Sequence, residues 1–93
     1  MNRKDIEVVL GGLIEVLASI EHERWSHWQK YMHGQGIKQP DGSLLMPANL
    51  VKRWERQLES DYQSLPEDEK ESDREQVRKY LPVIADALSN QSS

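Results

Sequence analysis

The sequence predicts a mainly α-helical domain: a compact bundle of three helices at about residues 4–33, 47–61 and 65–88, with a turn or small hairpin at 36–46. Three observations predict it. Apolar residues recur at three- and four-residue steps through the first third and again near the end, the period of a helix with one buried face. Prolines stand at 47 and 66, where helices can open, because a first turn does not need the missing amide. Charged residues make up 30% of the chain against 37% hydrophobic, a balance that suits narrow apolar stripes and wide solvated faces.

At 93 residues the chain reads as a single domain, 1–93, with a frayed tail at 88–93. A domain of that size buries only about two-thirds of its unfolded surface. It contains no Phe, so three Trp and three Tyr supply the bulky packing. No Cys is present, which excludes disulfides and thiolate metal sites and suits a reducing, cytoplasmic setting. A net charge of −4 argues against generic binding to nucleic acid, which needs a positive surface. The most apolar run, VVLGGLIEVLASI, is broken by Gly11, Gly12 and Glu15 and falls short of the roughly 20 residues of a membrane span. It continues with helical period into EHERW and reads as part of the folded domain, not as a signal segment.

In the first helix Ile6, Leu10, Leu13, Leu17, Ile20, Trp28 and Tyr31 share one face, with Asp5 and Glu7 at the positive end of the helix dipole. Gly11 and Gly12 cost about 1 kcal/mol each against Ala and mark a bend, a frayed turn or a close approach. Gly34 terminates the helix. Pro40-Asp41-Gly42 is turn chemistry, with short arms at 37–39 and 43–46 able to pair. Leu50, Val51, Trp54 and Leu58 form the apolar face of the second helix. The third opens at Ser64-Leu65-Pro66-Glu67, where Ser64 and Glu67 have capping-box spacing. It turns apolar at Val77, Leu81, Ile84 and Leu88, a side expected to pack on the face running from Leu13 to Trp28. Pro82 lies in its interior and removes one backbone donor.

Residues 62–81, YQSLPEDEKESDREQVRKYL, carry the most distinctive text. Tyr62, Leu65-Pro66-Glu67, Glu69-Lys70 and Asp73-Arg74, together with His22-Glu23 and Trp25 in EHERWSHW, resemble the ryanodine-receptor repeat (RyR) domain. The matched pieces cover about a third of the chain, roughly 17–31 and 62–81. The middle departs from the family pattern: Leu45-Met46-Pro47 is a faint echo of its extended segment, and residues 49–61 add a helix. The family occurs within giant calcium-release channels and as small stand-alone or fused domains in prokaryotes and their viruses, the kind a chain this short resembles. The resemblance implies a non-catalytic binding or scaffolding module, and for prokaryotic members a nucleotide-derived ligand has been suggested.

Three functional readings follow. The first is a protein-interaction or self-assembly module, with a homodimer built on residues 6–20, where Val8, Val9, Leu10, Leu13, Ile14, Val16 and Leu17 place apolar surface on more than one side. The second is a sensor or sequestering protein for a small nucleotide-like ligand, held by His22, Arg24, Trp25, Trp28, Trp54, Tyr62 and Arg74 in an aromatic and charged pocket. For the charged members the simpler expectation is a structural network of Glu21, Glu23, Arg24, Asp73 and Arg74 between the first and third helices, since a half-buried charge needs a partner. The third, a hydrolase, finds little support. His27 falls one residue too late for HExxH after His22, and no nucleophile elbow or phosphate-cradling loop is present. His22, His27 and His33 are spaced onto different helix faces or about 16 Å apart, so no metal and no cofactor is expected.

Overall fold

The computed structural model describes residues 1–92, with side chains through residue 90. It is mainly α-helical, with a small two-stranded antiparallel sheet, as the sequence predicts. In chain order the elements are α1 (Arg3–Gly11), α2 (Ile14–Gln35), β1 (Ile37–Lys38), β2 (Leu44–Leu45), α3 (Ala48–Glu59), a one-turn 3₁₀ helix (Tyr62–Ser64) and α4 (Glu67–Ser92). They form two units. One comprises Met1–Arg24 and Ser72–Ser93, and the other Trp25–Glu71.

In the first unit, the expected helix over 4–33 is divided by its glycines. Asn2 caps α1, its side chain accepting the Asp5 N–H at 2.9 Å. Arg3 and Glu7 pair across one turn at 2.9 Å, both well exposed, an arrangement worth tenths of a kcal/mol. At the break the Leu13 N–H bonds to the Leu10 carbonyl at 3.0 Å, three residues back where an α-helix would use four. Two adjacent glycines have the weakest helix preference short of proline, so the ladder gives way there.

The last helix starts where expected but is capped differently. The Pro66 carbonyl accepts the N–H groups of Glu69 and Lys70 at 3.1 and 3.0 Å, which makes Pro66 the residue before the first turn. The Ser64–Glu67 capping box does not form. Ser64 turns back, its hydroxyl donating to Asp61 Oδ1 at 2.8 Å and its N–H to the same oxygen at 3.2 Å. Asp61 offers an ionised acceptor within reach, and it caps the 3₁₀ turn instead. The helix continues through Pro82 to Ser92, beyond the expected end at 88; Ser93, the end of the expected tail, lies outside the described residues.

Within Trp25–Glu71, Ile37 pairs with Leu45 and Lys38 with Leu44. The connecting loop is closed by Gly42 N–H to the Gln39 carbonyl at 3.0 Å and Gln39 N–H to the Ser43 carbonyl at 2.8 Å. Asp41 Oδ1 accepts both the N–H and the hydroxyl of Ser43, at 3.0 and 2.6 Å. Gly42 sits at φ 90°, a conformation that only glycine adopts without strain.

No described residue is fully buried. Of the face expected to be buried along the first helix, Ile6, Leu13, Leu17 and Ile20 are half-buried, as is Val9, whereas Leu10, Trp28 and Tyr31 are exposed; Tyr80, Val83, Ile84, Ala87 and Leu88 of α4 are half-buried. Val77 and Leu81, expected to pack inside the bundle, are 51% and 54% exposed. Helical period marks which side of α4 is apolar, and it leaves open how far along the helix a covering partner extends.

Candidate interaction surface

The first unit presents apolar side chains to solvent along most of its length. Val8 of α1 is 71% exposed and Ile14, the first residue of α2, is 64% exposed; Leu10 and Val16 are also open. They flank the turn at Gly12–Leu13, which separates α1 from α2. All four lie in the 6–20 stretch expected to associate. On α4 the open pair is Val77 and Leu81.

A polar link in this unit joins α2 to α4. Arg24 donates from Nη2 and Nε to Glu21 Oε2, at 2.9 and 3.3 Å, and the Tyr80 hydroxyl donates to Glu21 Oε1. The tyrosine hydroxyl first, and the guanidinium second, hold the Glu21 carboxyl below its ordinary value of 4.5. The same bond to Glu21 raises Tyr80 and Arg24 above theirs. The sequence suggests a link from Glu21, Glu23 or Arg24 to Asp73 or Arg74, and from α4 Tyr80 also reaches Glu21. Arg74 is half-buried, and Asp73, His22 and Glu23 are exposed. A tyrosine beside an apolar stripe reads as packing, and nothing in its spacing shows that its hydroxyl reaches a carboxylate.

The second unit collects the aromatic residues. Trp28 stacks on Tyr31 with ring centroids 5.3 Å apart and meets Trp54 edge-on at 5.9 Å. Such pairs add about 0.5–1.5 kcal/mol beyond their buried area. Trp25 stands 59% exposed. Tyr62 lies under the Lys70 ammonium, 5.6 Å from its ring centre. Arg56 Nη2 donates to Glu69 Oε2 at 2.9 Å, tying α3 to the first turn of α4. Glu69 is 12% exposed, and its Oε1 is buried without a hydrogen bond. Arg56 holds this carboxyl below its ordinary value against the opposing effect of burial.

Of the ligand set read from sequence, Trp28 and Trp54 therefore meet, joined by Tyr31. Trp25 and Tyr62 belong to the same unit, whereas His22, Arg24 and Arg74 belong to the other. Among the described residues no three His, Asp or Glu side chains are grouped to hold a metal ion. No described helix is long and apolar enough to cross a membrane. No protein-family model, curated protein or solved structure matches the chain, so the RyR resemblance rests on the motif residues themselves.

Proposed function

We propose that the chain is a non-catalytic binding module of RyR-like type that acts by protein interaction, and that it assembles with a copy of itself through residues 6–20. The observation carrying this reading is the open apolar surface of α1 and the start of α2. Closing an interface over Val8 and Ile14 alone withdraws about two-thirds of each side chain from water, about 1–2 kcal/mol apiece. The cysteine-free composition fits a cytoplasmic location.

Sedimentation equilibrium tests it. The wild type is expected to be dimeric at tens of micromolar, and Ile14→Glu, which sets a carboxylate in the apolar face, to be monomeric with unchanged helicity. A monomeric wild type indifferent to that substitution would overturn the reading.

A second reading, a sensor for a small nucleotide-derived ligand, draws on the Trp28–Tyr31–Trp54 cluster, whose faces suit stacking on a base. It predicts quenching of tryptophan emission by adenine or guanine nucleotides, removed by Trp28→Ala.

A further inference from the structure

Asp41 and Gly42 stand side by side at the tip of the hairpin, both exposed. An aspartate followed by glycine can close a ring on its own backbone. The Gly42 amide nitrogen gives up its proton and bonds to Asp41 Cγ, a Cγ–O bond breaks, and that oxygen leaves as water. The product is a succinimide ring that joins side chain to main chain. Water then opens the ring at either carbonyl. One opening restores aspartate; the other routes the main chain through Cβ and Cγ, giving isoaspartate of unchanged mass. The water lost in closing is returned in opening, and no oxidant, reductant or second reactant is needed. Glycine hinders the closure least, having no Cβ, and even a Cβ built at Gly42 would meet nothing within 4 Å.

Three hydrogen bonds hold the two reacting groups in unreactive states. The Gly42 N–H donates to the Gln39 carbonyl at 3.0 Å, so the attacking nitrogen keeps its proton within the turn. The Ser43 hydroxyl and N–H donate to Asp41 Oδ1 at 2.6 and 3.0 Å, which favours the carboxylate. Those bonds, the hydroxyl first, hold the Asp41 carboxyl below its ordinary value of 3.8. Ring closure needs the neutral acid, whose oxygen leaves as water, and the anion is a poor electrophile.

We propose that Asp41–Gly42 is a site of backbone self-modification, restrained in the folded hairpin by Ser43 and released when the loop opens. Isoaspartate at position 41 lengthens the loop that sets the register of Ile37 with Leu45 and of Lys38 with Leu44. The hairpin lies in the Trp25–Glu71 unit, apart from the 6–20 stretch, so the inference does not depend on self-assembly.

The experiment incubates the protein in heavy-oxygen water at mildly acidic pH and physiological temperature. Each molecule that passes through the ring acquires a heavy oxygen at Asp41, whichever way the ring reopens. Mass spectrometry of the hairpin peptide, digested in ordinary water, reads the label, and electron-transfer fragmentation reads the isoaspartate. One hydrogen bond of this kind is worth about a two- to tenfold factor in the closed-to-open ratio. Folded Ser43→Ala is therefore expected to take up label about two- to tenfold faster than wild type. Ser43→Thr, which keeps the hydroxyl, is expected to stay near the wild-type rate. In urea all three bonds are lost, and wild type is expected to react about tenfold faster or more than when folded. That comparison decides the matter if Ser43→Ala does not fold. A folded Ser43→Ala that takes up label at the wild-type rate, or more slowly because the hydroxyl assists the departing oxygen, would overturn the restraint. Equal rates in folded and urea-unfolded wild type, or no label in either, would overturn the proposal as a whole.

Discussion

Adding one methyl group at Gly12 tests why the first helix breaks. Gly12 has φ −69° and ψ −11°, ordinary right-handed helical backbone, so alanine fits its conformation. A Cβ there would meet the Val9 carbonyl oxygen at 3.4 Å and the Val8 oxygen at 3.7 Å, normal van der Waals contacts. At Gly11 a Cβ would meet nothing within 4 Å. Neither glycine is thus required by its own chain, and each replacement removes backbone freedom from the unfolded state. The expected gain is about 0.4–1 kcal/mol per site, and about 1–2 kcal/mol for Gly11→Ala with Gly12→Ala. For a domain of this size each kcal/mol raises the melting temperature by about 4–8 °C. The double variant should therefore melt roughly 4–16 °C higher by circular dichroism at 222 nm, compared at equal protein concentration. A lower melting temperature in the double variant would refute the reasoning, and would mean that a second backbone comes close to these glycines.

Three further outcomes follow from the described contacts. Gly42→Ala forces a side chain into the left-handed region at φ 90° and should cost about 1–2 kcal/mol, seen as a lower melting temperature. Tyr80→Phe removes the larger influence on Glu21, so its carboxyl should titrate closer to 4.5 in carbon-detected NMR, still lowered by Arg24. The depressed folded value of Glu69 makes its pairing with Arg56 stabilising above the ordinary value of 4.5, with the contribution lost as pH falls through the folded value. The melting-temperature gap between wild type and Arg56→Ala should hold steady between about pH 5 and 7 and close in stronger acid; a gap that persists at about pH 2 would contradict the assignment.

Local chemistry was legible wherever one residue type dominates a choice. Pro47 and Pro66 mark the openings of α3 and α4 to within a residue, and Pro40-Asp41-Gly42 marks the hairpin. The division at Gly11 and Gly12 was visible as a weak point, though propensity alone does not separate a bend from a break. Competition between neighbours was harder to read. Ser64 and Asp61 are both capping residues, and the carboxylate took the contact. Tertiary reach was not legible at all: Tyr80 meets Glu21 across 59 positions, and Arg56 meets Glu69 across 13. The exposure of Val77 and Leu81 belongs with these, since a heptad seam reads the same whether its partner is in the same chain or another.

The distribution of rings has a spectroscopic consequence. Trp25, Trp28 and Trp54 all lie in the Trp25–Glu71 unit, and the only aromatic residue of the other unit is Tyr80. Tryptophan emission is therefore a private signal of one unit, whereas far-ultraviolet ellipticity sums the helices of both. Heated together under the two probes, a cooperative chain gives one superimposable transition. Two independent units give an ellipticity curve with a step that the fluorescence never records, and the chain carries this internal control without any added label.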